Sequence, residues 1–139
     1  MRVVLDTNVV MSGVFFGGVP GQILTAWHGG RVTLVVSPSI LDEYRRVGAL
    51  LAAQYEGVNF EPFAALLAVH AEVVDAPEHL AEPVGEDPAD QKFLACALGA
   101  GATCVVSGDW HLLRVSGWQG IEVLRPRTFV DRYLEADPR

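Results

Sequence analysis

The feature that most constrains this chain lies in its first ten residues, where the apolar run Val3-Val4-Leu5 ends abruptly in Asp6-Thr7 with no turn residue between. Such a run is typical of a fully buried strand, because a parallel sheet covered on both faces needs apolar side chains at every position. An aspartate at the carboxyl edge of such a strand lies where open α/β sheets bind ligands. Aspartate also caps turns, so this stretch alone leaves both interpretations of Asp6 open.

Length and composition predict a single globular domain over residues 1–139. Half of the residues are hydrophobic, which gives a chain of this size a substantial core. No run approaches the roughly 18 apolar residues of a membrane span, and no basic-then-apolar leader precedes a cleavage site. We therefore expect a cytoplasmic protein with no membrane partner. The formal net charge of −7 argues against broad electrostatic capture of nucleic acid.

Predicted strands alternate with predicted helices along the rest of the chain. Apolar and β-branched runs predict strands at 32–36, 72–75, 103–106 and 120–124. Helical spacing and capping residues predict helices at 20–28, 38–51, 60–71, 88–98, 110–113 and 126–136. The segment from residue 9 to residue 18 is predicted to be a flexible connection. This alternation predicts a three-layer α/β fold built on a parallel sheet.

Three further acids occupy unusual places. Glu43 falls within the apolar stripe of its helix, and Asp90 projects toward the packed side of the next one. Asp109 ends the strand at 103–106 as Asp6 ends the first strand. Because strand ends and the starts of the following helices share one edge of a parallel sheet, these four acids are placed to converge. Each one also has a local explanation as a turn or capping residue.

Convergence of carboxylates has an electrostatic cost that points to a cation. Two like charges about 4 Å apart repel by roughly 4 kcal/mol at an effective dielectric constant near 20. Either some of the acids are protonated or a divalent cation neutralises them. Oxygen ligands without cysteine or clustered histidine favour Mg²⁺ or Mn²⁺ over zinc. Such ions polarise a phosphoryl oxygen and activate water, which suits phosphodiester hydrolysis. The metal would then receive the phosphate, so a broad basic surface would not be needed.

Four segments in order carry a resemblance to a known family. They are residues 4–9 (VLDTNV), 39–44 (SILDEY), 87–94 (DPADQKFL) and 107–113 (SGDWHLL), followed by a closing stretch at 121–129. Together they resemble the motifs of PIN-domain ribonucleases, of the kind found as toxins in VapBC-type toxin–antitoxin pairs. The first motif is weak alone, whereas four in order are fairly specific.

The resemblance implies a sheet of about five parallel strands and a defined set of site residues. The metal-coordinating and catalytic acids would be Asp6, Glu43, Asp90 and Asp109. Asn8 and Ser107 would support the site through hydrogen bonds, and Asp87 would join it at the edge. The resemblance further implies a single-stranded RNA substrate, Mg²⁺ or Mn²⁺ as cofactor, an antitoxin protein as partner and usually a homodimer. It names no residues that bind the nucleic acid.

Other functional classes remain open on the sequence. A phosphatase using Asp6 as covalent acceptor is disfavoured, because no second acid follows two residues later and Lys92 is the only lysine. A nucleotide-binding or antitoxin-binding module with an inactive site is disfavoured by the missing glycine-rich turn and by the complete set of four acids. A structure-selective DNA nuclease is an alternative, because the same metal chemistry cuts either polymer. The number of metal ions and the RNA sequence preference are not predicted.

Overall fold

The fold is built on a central sheet of five parallel strands. A computed structural model describes residues 1–85 and 87–134. The spatial order of the strands is β3-β2-β1-β4-β5, and every neighbouring pair is parallel. The strands are β1 (Arg2–Leu5), β2 (Thr33–Val36), β3 (Glu72–Val73), β4 (Cys104–Val106) and β5 (Glu122–Leu124). The three-layer α/β/α fold with five parallel strands predicted from the sequence is confirmed.

Helices flank this sheet. In the described part of the chain they are α1 (Thr7–Phe16), α2 (Gly18–His28), α3 (Pro38–Gln54), α4 (Glu61–His70), α5 (Gln91–Ala100), α6 (Trp110–Leu113) and α7 (Pro126–Phe129). Short 3₁₀ turns occupy Pro88–Asp90 and Trp118–Gly120, and α7 continues as a π-helical turn over Val130–Leu134. The last residues of the helix predicted at 126–136 lie outside the described residues.

The predicted flexible connection at residues 9–18 is wrong. Helix α1 begins directly after Asp6, and α2 begins at Gly18 rather than at Pro20. Helix α1 is apolar almost throughout, so its sequence has no polar face from which a helical period can be recognised. Gly17, with φ 75°, supplies the backbone conformation that ends α1 and starts α2, a conformation that L side chains rarely adopt.

The predicted caps at the sheet edge are confirmed. The Ser37 side chain accepts a hydrogen bond from the backbone N–H of Ile40 at 3.3 Å, and Pro38 occupies the first turn of α3. At the end of α5 that is remote from the strand ends carrying the acids, the helix stops at Gly101, whose φ of 68° gives a left-handed C-cap. The Ser37 cap thus fixes the start of α3, and the Gly101 cap fixes the end of α5.

The core surrounds the first strand and its neighbours. The strand residues Val3, Val4 and Leu5 are fully buried, and α5 packs against β1, β2 and β4. The fully buried Tyr44 donates its hydroxyl hydrogen bond to the carbonyl oxygen of Leu5, which ties α3 to the end of β1. The residue that follows Leu5 is Asp6, so this contact holds α3 beside the strand end that carries the first acid.

Over residues 1–85 and 87–134, no single helix is long and apolar enough to cross a bilayer. Helices α1 and α2 reach that length and composition only as a pair, and the pair is bent by 96°.

Candidate metal centre

The centre begins where two neighbouring strands end. Leu5 of β1 pairs with Val106 of β4, and the backbone N–H of Asp6 donates to the Val106 carbonyl at 2.9 Å. Ser107 is therefore beside Asp6, and its hydroxyl donates to Asp6 Oδ2 at 2.6 Å. The same Ser107 oxygen accepts from the backbone N–H of Asp109 at 2.9 Å. One buried serine thus holds both strand-end aspartates in place.

Three aspartates bring their carboxylates together at this edge. One carboxylate oxygen from each of Asp87, Asp90 and Asp109 lies within 4.8 Å of the other two. Asp87 accepts a hydrogen bond from Ala89 N at 2.9 Å, and Asp109 accepts from His111 N at 3.0 Å. Backbone amides at two short helical turns therefore orient the outer carboxylates. We call Asp87, Asp90 and Asp109 the aspartate cluster.

Asp90 is the innermost member of the aspartate cluster. Its side chain is only 8% exposed, and its Oδ2 is buried without a hydrogen-bond partner among the described residues. Burial, the largest cause, and the charges of Asp109, Asp87 and Asp6 together raise the pKa of Asp90 to about 6, and the charge of His111 partly opposes them. A buried carboxylate oxygen without a donor is costly, and a bound cation would supply the missing partner.

Asp6 belongs electrostatically to the same group. Burial raises its pKa most, and the hydrogen bonds from Ser107 and from the Thr7 backbone oppose that effect. The nearby charges of Asp109 and Glu43 raise the Asp6 pKa further. The acids of the site therefore lie close enough to repel one another, and the hydrogen bonds to Asp6 offset that repulsion only in part.

Glu43 is held differently from the aspartates. Its Oε1 accepts a hydrogen bond from Lys92 Nζ at 2.8 Å, and its Oε2 accepts one from the Thr7 hydroxyl. Arg46 lies 3.9 Å from Oε1. Both carboxylate oxygens of Glu43 thus have donors, whereas Asp90 retains a buried oxygen that has none.

The structure therefore brings some predicted residues closer together than others. Asp90 and Asp109 share one cluster with Asp87, which the sequence placed only at the edge of the site. Asp6 adjoins them through Ser107, and Glu43 adjoins Asp6 through Thr7. Asn8 is exposed in the first turn of α1 and makes no side-chain hydrogen bond to any residue that the structure describes. The catalytic and supporting roles of all these residues stay predictions.

Sequence reasoning missed Lys92 and Thr7. Lys92 lies in the all-buried segment 91–97 of α5, and a lysine in such a position is rarely buried unless it is paired. That single charged residue within an otherwise buried apolar helix is the signal that would have found it. Thr7 carries no comparable signal, because a threonine at a helix start is ordinary.

Two cavities lie near these elements. A cleft of about 610 Å³ opens beside Glu43 and Lys92, and it is also lined by Ser39, Asp42, Arg46, Glu78, His79, Pro88 and Ala89. A larger cavity of about 840 Å³ lies between α1, α2 and the Val130–Leu134 turn, and none of the carboxylates of the site lines it. Among the predicted site acids, Glu43 lines the smaller cleft, whereas Asp6 and the aspartate cluster do not.

The residues present fit a hard divalent cation. The nearest side-chain ligands are carboxylate oxygens, and both cysteines are buried in the core as free thiols. An all-oxygen set of this kind suits Mg²⁺ or Mn²⁺. The buried Asp90 oxygen without a donor is the observation that marks the place for the ion.

Comparison with known families agrees with this geometry. Residues 2–111 match the sequence profile of the PIN domain. The chain belongs to the PIN domain family. PIN domains are generally metal-dependent nucleases, and the matched range contains Asp6, Glu43, Asp90 and Asp109. A search of curated proteins returned no match. The family and the aspartate cluster together indicate a nuclease with a divalent-metal site.

Proposed function

We propose that this protein is a Mg²⁺- or Mn²⁺-dependent endoribonuclease that hydrolyses phosphodiester bonds of single-stranded RNA. The observation that carries the proposal is the aspartate cluster of a PIN domain, in which the buried Asp90 Oδ2 lacks any hydrogen-bond donor among the described residues. We assign the cation to Asp87, Asp90 and Asp109, with Asp6 beside them. Glu43 is assigned to the catalytic group at its rim.

The chain's own residues prepare this site before any ion binds. The Ser107 hydroxyl bonds to both Asp6 Oδ2 and the Asp109 backbone N–H, so it fixes the ends of β1 and β4 relative to each other. Backbone amides orient Asp87 and Asp109 from outside the cluster. Such prior positioning lowers the cost of assembling the reacting groups. When bound, the cation would supply Lewis acidity toward a phosphoryl oxygen and toward the attacking water.

The net charge of −7 is compatible with this substrate. A protein that captures RNA over a broad surface needs many phosphate contacts from lysine and arginine. In this site the phosphate would instead be received at the cation, so affinity for RNA would depend on the metal. Binding of RNA in excess chelator is therefore expected to be weak.

Single-stranded RNA cleavage is tested with matched substrates and variants. Single-stranded RNA, single-stranded DNA of the same sequence, and branched and hairpin DNA are incubated with Mn²⁺, Mg²⁺ or excess chelator. We expect internal cuts in the single-stranded RNA only with metal, and none by Asp90→Asn. Asp131→Asn is the control, because the Asp131 side chain is 55% exposed and belongs neither to the aspartate cluster nor to the cleft beside Glu43. Undiminished cleavage in chelator would refute the metal mechanism.

The same assay decides between the alternatives. Preferential cutting of branched or hairpin DNA would replace the proposal by a structure-selective DNA nuclease that uses the same metal chemistry. Binding of RNA without cleavage of any substrate would instead indicate a catalytically weak PIN-like binding module.

We further propose a role as the cytoplasmic toxin of a toxin–antitoxin pair, acting as a homodimer and bound by an antitoxin protein. The support is the order of the four motifs, which resembles that of VapBC-type toxins. The exposed rings of Phe16 and Tyr55, with centroids 5.4 Å apart, offer an apolar surface for a protein partner. Induced expression should arrest growth in the wild type and not in Asp90→Asn. Equal growth of both would refute the toxin role.

A small reading frame beside the gene, encoding a protein that restores growth, would identify the antitoxin. The molar mass in solution, measured by light scattering, tests the homodimer. A mass of one chain at all concentrations would contradict it.

A further inference from the structure

Lys92 is a buried cation at the edge of the metal centre, and the nuclease chemistry assigned above makes no use of it. It is the only lysine of the chain, and it is 6% exposed. Its ammonium donates to Glu43 Oε1 at 2.8 Å and to the carbonyl of Ala89 at 3.0 Å. It also lies 5.5 Å from the centre of the Phe93 ring, a favourable distance for a cation–π contact. A lysine is buried to this extent only where partners offset its desolvation.

The partner of Lys92 is Glu43, a predicted metal-binding acid whose two oxygens both have side-chain donors. Lys92 and the Thr7 hydroxyl engage the two oxygens of Glu43. The aspartate cluster differs, because the buried Asp90 Oδ2 has no donor among the described residues. The chain thus supplies its own cation to Glu43 and none to this oxygen of Asp90.

We propose that Lys92 is a positioning residue that takes the place of a second divalent cation at Glu43, so that the centre binds a single divalent ion at the aspartate cluster. The role of Lys92 rests on the proposed metal centre. Lys92 pairs with Glu43 and fixes it at the rim of the site. It does so from α5, and the short turn that precedes α5 carries Asp87 and Asp90, so the ammonium and these two members of the cluster lie on one continuous segment.

Removal of the ammonium should expose Glu43 as a ligand. In Lys92→Met the side chain keeps a similar length but loses its charge, and Glu43, at 19% side-chain exposure, keeps only the Thr7 hydroxyl and the more distant Arg46 as partners. Such a carboxylate destabilises the metal-free fold and attracts a cation. Arg46→Met is the matched control, because Arg46 is also a cation near Glu43 Oε1 but is 3.9 Å away and 65% exposed, where ion pairs contribute little.

The first measurement is the stoichiometry of Mn²⁺ binding by titration calorimetry at pH 7.5. We expect one ion for the wild type and for Arg46→Met, and two for Lys92→Met. Glu43→Gln and the double variant Lys92→Met/Glu43→Gln should each bind one. Two ions bound to the wild type would overturn the role of Lys92 while leaving the metal centre intact, and this outcome requires no variant to fold. One ion bound to Lys92→Met with unchanged affinity would overturn it as well. No Mn²⁺ bound to the wild type would refute both the metal centre and the role of Lys92.

The second measurement is the thermal melt of the same proteins in excess chelator. Lys92→Met should melt about 4–8 °C below the wild type, as expected for a partly buried acid that has lost its partner. Adding Glu43→Gln should recover at least half of that loss. Arg46→Met should melt within about 1 °C of the wild type. If Glu43→Gln recovers nothing in the Lys92→Met background, Lys92 does not act through Glu43.

Discussion

Replacement of Asp90 by asparagine should stabilise the metal-free protein, although the residue is buried. The side chain is 8% exposed, and its Oδ2 has no donor among the described residues. Burial and the charges of Asp109, Asp87 and Asp6 raise its pKa from an ordinary 3.8 to about 6. Asparagine keeps the shape of the side chain, removes the charge and brings an amide that can donate to its acidic neighbours.

The size of the stabilisation expected for Asp90→Asn follows from the raised pKa of Asp90. A folded-state pKa of about 6 rather than 3.8 corresponds to roughly 3 kcal/mol against the folded, charged form at neutral pH. Partial solvation of the site screens that repulsion, so about 1–2 kcal/mol is the expected gain in the free energy of unfolding. For a chain of this length, such a gain raises the melting temperature by roughly 3–6 °C.

The stability gained by Asp90→Asn should increase as the pH rises. Because the folded-state pKa is raised, the folded protein holds the Asp90 proton more tightly than the unfolded chain does. The stability associated with that proton is fully present below pH 3.8 and is lost as the pH rises through about 6. The difference between Asp90→Asn and the wild type should therefore be largest near pH 8 and should shrink steadily toward pH 4.5.

The assay is a series of thermal melts between pH 4.5 and pH 8 in excess chelator. Asp131→Asn serves as the control, because the exposed Asp131 should change the melting temperature by less than about 1–2 °C at every pH. A melting temperature of Asp90→Asn below that of the wild type at pH 8 would show that Asp90 is a structural aspartate, and the electrostatic reasoning would then be wrong.

Three further predictions follow from the same contacts. Asp6→Asn should abolish cleavage while leaving the metal-free stability unchanged or raised by about 1 kcal/mol, and a clear fall of its melting temperature in chelator would contradict this. The apparent affinity for Mn²⁺ should fall about tenfold for each pH unit below about 6, because Asp90 must lose its proton to bind the ion; calorimetry that shows no such dependence would exclude Asp90 as a ligand. Tyr44→Phe should cost about 1–3 kcal/mol in urea unfolding, since the Leu5 carbonyl loses its buried donor, whereas an unchanged midpoint would show that another donor replaces it.

Much of the fold was predictable because its strands are buried on both faces. Apolar and β-branched runs such as Val3-Val4-Leu5 predict strands of a covered parallel sheet, and the order of those runs along the chain predicted the architecture. Helix α1 was not predictable in the same way. It is apolar almost throughout, and a helix without a polar face carries no period in its sequence.

The composition of the aspartate cluster depended on local geometry that the sequence does not display. The sequence predicted a regular helix from residue 88 with Asp87 as its cap, and the family resemblance placed Asp87 only at the edge of the site. The segment Pro88–Asp90 is instead a 3₁₀ turn, and side chains three residues apart eclipse one another in that geometry. Asp87 and Asp90 are thereby brought side by side, which accounts for the membership of Asp87 in the cluster.

The Lys92–Glu43 ion pair lay beyond sequence reasoning for a different reason. The two residues are 49 positions apart and lie on α5 and α3, so no helical or strand period relates them. Glu43 was recognised as an acid on an apolar face, and Lys92 could have been recognised as a charge within a buried segment. Only the packing of the two helices shows that the two anomalies compensate each other.

The most direct test of the metal centre is a crystal of the protein grown with Mn²⁺, with anomalous data collected at the manganese absorption edge. The account predicts a single strong peak among Asp87, Asp90 and Asp109, with carboxylate oxygens about 2.0–2.3 Å from it and Asp90 Oδ2 as one of the ligands. A peak at another place, or a second peak of equal height between Glu43 and Lys92, would contradict it.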